Sequence, residues 1–204
     1  MPRPKSLSDR EVLETANRLL HAHGPEGLSF GKLARACGLS SSTLVQRFAN
    51  KDGLMRATLM HAWDGLDART ASLAARLPRS PEGAVRLLVA LSQDYGDIER
   101  YADNLLILRE DLRDPVVRAR GKAWKGALSA VLEDCFAGQP GMVPGVVPGI
   151  GLMLAAQWQG ALLWWSFDPE GPVERFVEAR LRAFVAALTG PSPRPGARDR
   201  PDQP

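Results

Sequence analysis

Residues 41 to 47 read Ser-Ser-Thr-Leu-Val-Gln-Arg, and five of these seven carry groups able to contact a nucleic acid. A glutamine can pair bidentately with adenine, an arginine with guanine, and the methyl of a threonine can meet that of a thymine. Short serines at a helix start allow close backbone approach and can bond phosphate. Each has an alternative role: Ser40, Ser41 and Ser42 can serve only as helix caps, and Arg47 can lie on a solvated face. Lys51 follows at the start of a longer helical pattern, where free backbone N–H groups and the positive dipole end favour an anion. Arg3 and Lys5, in a Pro-rich arm, can enter a minor groove or remain in solvent.

Other chemistries find little support. The three histidines, His21, His23 and His61, complete no metal or nucleophile motif. Cys37 and Cys135 are too few for a disulfide framework or a zinc site, and as redox sensors each falls on a predicted apolar face. Helical patterning leaves no strand after which a Gly-rich phosphate loop could sit. The expectation is a protein without catalytic function, metal or cofactor. The 204 residues, 45% hydrophobic and 24% charged with a net charge of +3, suit a globular chain of a small and a larger domain. Residues 139–167 contain no charged side chain and are long enough to consider a membrane helix. The run of Gly and Pro at their start, Gln157, Gln159 and acidic flanks favour a buried helix instead. No apolar segment follows the basic N-terminal residues, so the cytoplasm is the expected location.

The polar residues of 41–47 need a scaffold, and the flanking sequence provides one. Phe30–Cys37 and Ser41–Phe48 are short amphipathic segments separated by Gly38-Leu39-Ser40. Gly38 can adopt positive φ and end the first; Ser29 and Ser40 or Ser41 can cap the two helices. Two helices joined by so short a Gly-containing turn form a helix-turn-helix, whose second helix enters the major groove. Ser8 or Asp9 caps a helix to His23 in front, and Asn50 caps a long one from Lys51 to about Leu77. Further helices are predicted at 82–95, 98–112, 115–136, 148–167 and 172–188. The fold class is all-α, with about nine helices. Residues 1–7 are expected to be a flexible arm, 8–54 the helix-turn-helix domain, 55–189 a regulatory and dimerisation domain, and 190–204 a disordered tail.

The residues Gly24, Ser29, Leu33, Ala34, Gly38, Leu39, Ser40, Thr43, Leu44, Phe48, Lys51 and Leu54, with an amphipathic helix in front, resemble the TetR family of transcriptional regulators over roughly residues 8–60. The resemblance implies a homodimer that reads a near-palindromic DNA operator, a phosphate contact at Lys51, and a small-molecule effector that releases a repressor. Ser29, Ser40, Ser41, Ser42, Thr43, Gln46, Arg47 and Lys51 are the candidate DNA-facing residues. Val45 departs from the pattern, because family members commonly carry an aromatic there, often Tyr, whose hydroxyl touches phosphate.

For the dimer the last two helices supply apolar stripes, with Trp158, Leu162, Trp165, Val177, Leu181 and Phe184 as candidate interface residues. A helix apolar all round must be covered on both sides, by its own domain and by a partner. The pocket implied by the resemblance lies between the middle helices, with Tyr101, Leu105, Trp124, Met153, Gln157 and Trp164 as candidate lining; aromatic and Met side chains with a few polar groups suit an apolar or aromatic ligand. In the alternative reading the C-terminal part only dimerises or binds a protein partner, with no small-molecule response. Activation rather than repression is compatible with the same residues.

Overall fold

The computed structural model describes residues 7–138 and 149–189, and within them the fold is all-helical. The expectations for the arm with Arg3 and Lys5, for residues 139–148 and for the tail lie outside the described residues. The helices are α1 (Asp9–Gly27), α2 (Phe30–Cys37), α3 (Ser41–Phe48), α4 (Lys51–Arg76), α5 (Pro81–Ser92), α6 (Ile98–Arg113), α7 (Pro115–Asp134), α8 (Ile150–Phe167) and α9 (Val173–Thr189), with a 3-10 turn at Gln93–Tyr95.

Local signals set most of these boundaries. Ser8 and Glu11 form a capping box at α1: the Glu11 N–H donates to Ser8 Oγ at 3.3 Å, and the Ser8 N–H donates to Glu11 Oε2 at 2.8 Å. Gly24, at φ 65° and ψ −177°, interrupts α1 directly after His23, and a short turn through Pro25 completes the element. Asn50 Oδ1 accepts the Gly53 N–H at 2.8 Å and opens α4. Asp114 closes α6 and caps α7, accepting from Val116 and Val117. The expected helix 82–95 is shorter than its pattern, ending at Ser92 before the 3-10 turn.

Two cores form. Val12, Ala16, Leu28, Leu33, Ala34, Cys37, Leu44, Phe48 and Leu54 pack α1–α3 onto the start of α4. A larger core joins α5, α7, α8 and α9, centred on Leu88, Leu128, Phe136, Trp158 and Leu162. Between them lies a small cluster of Leu20, Leu59, Ile107 and Val117, one residue each from α1, α4, α6 and α7. Helix α4 thus begins in the first core and ends against the second. Polar ties fix its side: Arg56 Nε bonds Asp114 at 2.7 Å, and Arg120 of α7 reaches Asp64 at 3.0 Å and Asp67 at 2.6 Å.

Candidate nucleic-acid interface

Helices α2 and α3 are joined as the spacing requires. Gly38 sits in the left-handed region at φ 66° and ψ 31°, and its N–H returns to the Ala34 carbonyl. The Leu39 N–H bonds the same carbonyl at 3.0 Å, while Leu33, Ala34, Leu44 and Phe48 are buried beneath the turn. Ser29 Oγ accepts the Lys32 N–H at 3.3 Å, and Ser40 Oγ accepts the Thr43 N–H at 3.1 Å. The Ser40 hydroxyl also lies 2.8 Å from both Ser42 Oγ and Thr43 Oγ1, so three candidate hydroxyls form one exposed cluster at the N-terminus of α3.

On α3 the exposed side chains are Ser41, Ser42, Val45 and Gln46, a continuous outward strip. Val45 is 43% exposed at the centre of this strip. Arg47 turns elsewhere: its Nη1 donates to the Leu7 carbonyl at 2.8 Å and to Asp9 Oδ1 at 3.1 Å. It therefore fastens α3 to the entry of α1, a link between residues 38 and 40 apart that no local pattern reveals. Lys51 is exposed at the start of α4, with Nζ 3.6 Å from the Glu26 carboxylate in the last turn of α1, after the Gly24 break.

In the larger core, aromatic rings contact one another between the middle helices. Tyr95 contacts Tyr101 at 5.6 Å and Trp158 at 6.3 Å, and Tyr101 meets Trp165 at 6.4 Å. Trp158 Nε1 donates to buried Ser92 Oγ at 2.8 Å, and Trp124 Nε1 to Thr70 Oγ1 at 3.1 Å. Of the candidate pocket residues, Tyr101 and Trp124 lie in this interior and Gln157 at its edge, whereas Leu105, Met153 and Trp164 point outward. Burial pushes the Tyr95 phenol and the Cys135 thiol above their ordinary pKa values.

The candidate dimer residues sit within the protomer. Trp158, Leu162, Trp165, Val177 and Leu181 are buried within the protomer, and Phe184 packs on the same core, so these six face inward. The outward face of α8 instead presents Leu152, Met153, Leu163, Trp164 and Phe167, the last two 68% and 74% exposed. Because α8 is apolar around its whole circumference, its pattern does not reveal which side meets its own core. Among the described residues no helix is long and apolar enough to cross a membrane, and no group of His, Cys, Asp and Glu is placed to hold a metal.

The sequence profile of the bacterial regulatory proteins of the tetR family matches residues 12–58, the segment from α1 into α4. The HTH-type transcriptional repressor ComR of Escherichia coli K12 is 40% identical over 57 residues, which is 28% of this chain and 27% of ComR. The chain thus spans about a quarter of that relative's length. A transcriptional regulator from Saccharomonospora viridis, solved in complex with choline, superposes with a TM-score of 0.69 at 19% identity, covering 87% of this chain and 95% of that one. AibR in complex with isovaleryl coenzyme A and operator DNA gives a TM-score of 0.59 at 25% identity, covering 85% and 96%.

Proposed function

We propose that this chain, which belongs to the TetR family of transcriptional regulators, acts as a repressor: a homodimer that binds a palindromic operator and is released by a small apolar or aromatic ligand. The observation that carries this reading is the outward strip Ser41, Ser42, Val45 and Gln46, held on α3 by a buried turn and flanked by Lys51 at the helix start behind it. Gln46 reads a base edge, and the hydroxyls of Ser41, Ser42 and Thr43 reach bases or phosphates, with Ser29 and Ser40 holding the helix starts near the backbone. Lys51 exchanges Glu26 for a phosphate, which adds the strength of the helix end to that of the ammonium. Arg47 acts through its grip on α1, as a positioning residue.

Two such units are needed, since one recognition helix reads too few base pairs, and half-sites about one helical turn or a multiple apart follow from this geometry. The exposed face of α8, with Ala179 and Ala183 on α9, supplies an apolar seam for the second copy. Residues 8–54 form the reading unit and 55–189 the regulatory one, coupled through the cluster of Leu20, Leu59, Ile107 and Val117. A ligand that prefers one tilt of α4 shifts the population by no more than its differential affinity. The cytoplasm is the corresponding location. The mutual contacts of Tyr95, Tyr101, Trp158 and Trp165 favour a second reading, in which the C-terminal part dimerises or binds a protein and answers no small molecule.

Fluorescence anisotropy on a selected duplex tests the reading. Lys51→Ala is expected to weaken binding to all sequences alike and to lower the slope of log K against log salt by about 1. An unchanged slope would remove Lys51 from the phosphate contacts. Titration of the DNA complex with candidate effectors separates the two readings of the C-terminal part.

A further inference from the structure

Among the described residues from 7 to 104, Val45 is the one large apolar side chain that is exposed, at 43%. The other aliphatic and aromatic residues of the same short helix, Leu44 and Phe48, are buried in the N-terminal core. The surface around Val45 is polar. Ser41 and Ser42 lie one turn before it on the same face, Gln46 follows it, and all three are exposed. The Ser42 hydroxyl is held within the protein, 2.8 Å from Ser40 Oγ. A β-branched side chain in a helix keeps essentially one χ1 rotamer, and a helical side chain covers the surface over the turn N-terminal to its own Cα. The Val45 methyls therefore project over the Ser41–Ser42 turn, at the end of a recognition helix that approaches base edges.

We propose that Val45 reads a thymine: its isopropyl group packs on the thymine 5-methyl in the major groove and so fixes one T·A pair in each half-site. The inference rests on α3 being the recognition helix and names a base which that helix reads. The groups that unmodified base pairs offer in the major groove are hydrogen-bond donors and acceptors, apart from the thymine methyl, which is apolar. A valine side chain neither donates nor accepts. Against guanine, adenine or cytosine it displaces water from a polar edge and returns no hydrogen bond. Against the methyl both partners remove apolar surface from water. The contact carries no charge, so it adds selectivity for a base without adding to the salt dependence set by phosphate contacts.

The test is fluorescence anisotropy of the full chain on its selected duplex, with each thymine of one half-site replaced singly by uracil. That exchange removes the methyl and keeps the base pair. Wild type is expected to lose about three- to fivefold in affinity at one thymine, the worth of one buried methyl. Val45→Ala should bind the thymine and uracil duplexes alike at that position, whereas Thr43→Ser, which removes the neighbouring methyl on α3, should keep the preference. Val45 is exposed and alanine is the better helix former, so Val45→Ala leaves α3 intact. An aromatic ring at this position also covers a methyl, which makes alanine the discriminating substitution. A preference that survives Val45→Ala, or one that disappears with Thr43→Ser, overturns the proposal. Salt-dependent binding that persists through a uracil scan without any loss overturns this assignment alone. Failure to bind any duplex at low salt overturns the reading of α3 and this assignment with it.

Discussion

The guanidinium of Arg47, in the last turn of α3, bonds the Asp9 carboxylate at the first turn of α1 across 3.1 Å. The same Nη1 donates to the Leu7 carbonyl, so the end of the reading helix and the entry of the chain move together. Arg47 is 24% exposed and Asp9 68%, so the ion pair itself is worth little and the carbonyl bond more, together about 1–2 kcal/mol. Arg47→Ala is expected to lower stability by that amount and to weaken DNA binding equally for all operator variants. Relaxed specificity at a single base position, measured by competition with substituted duplexes, would instead make Arg47 a base reader.

Val45 stands at the centre of the outward strip of α3, 43% exposed, with no group that bonds phosphate. Val45→Tyr is expected to tighten DNA binding by about 1 kcal/mol, the net worth of one added hydrogen bond. Because the phenol is neutral, the salt slope should not change. Weaker binding in the same assay would show that the strip needs the smaller side chain.

Ala49 closes α3 at φ 64° and ψ −61°, and the Asn50 N–H bonds the Phe48 carbonyl at 2.8 Å. This is a γ-turn centred on a residue with a Cβ, a strained arrangement. Ala49→Gly should relieve the strain and raise the unfolding free energy by about 1 kcal/mol, read from the urea midpoint. A loss of stability would show that the turn is better tolerated than its angles indicate.

The two faces of α8 make opposite expectations. Leu163 and Trp164 point outward, so Leu163→Asp with Trp164→Asp should yield a folded monomer in analytical ultracentrifugation. Leu162 is fully buried, and Leu162→Ala should cost about 2–5 kcal/mol of stability while leaving the assembly state of the folded fraction unchanged. A dimer that survives both aspartates would place the seam elsewhere.

Burial lifts Asp111 to about 6 from an ordinary 3.8, against the opposing pull of the Trp63 bond. Between about pH 4 and 6 the folded chain therefore holds a proton that the unfolded chain has released, so stability falls as pH rises through that window and stays lower above it. Asp111→Asn should raise the melting temperature near pH 7.5, by the equivalent of about 1–2 kcal/mol, and leave it unchanged near pH 4. A variant less stable than wild type at both pH values would contradict this sign.

Local chemistry made the N-terminal part legible. Ser8, Ser29, Ser40 and Asn50 all accept the N–H bonds their sequence positions imply, and Gly24 and Gly38 break the chain where their freedom is needed. Long-range pairings were hidden, because no periodicity joins Arg47 to Asp9 or Lys51 to Glu26. The orientation of α8 was equally hidden: a helix apolar all round looks the same from either side, so Trp158 and Leu162 were indistinguishable from Leu163 and Trp164. The Trp63–Asp111 pair bridges 48 residues and two helices, and an acid in the run Arg-Glu-Asp-Leu-Arg reads as ordinary surface until the fold strips it of a partner.

Selection from random duplex DNA by the purified protein asks whether this chain reads DNA as a two-fold dimer. The expected result is an enriched near-palindrome bound by two or a multiple of two protomers, with affinity falling steeply as salt rises. Enrichment of a single unsymmetric half-site bound by one protomer, or no enrichment at low salt, would contradict it.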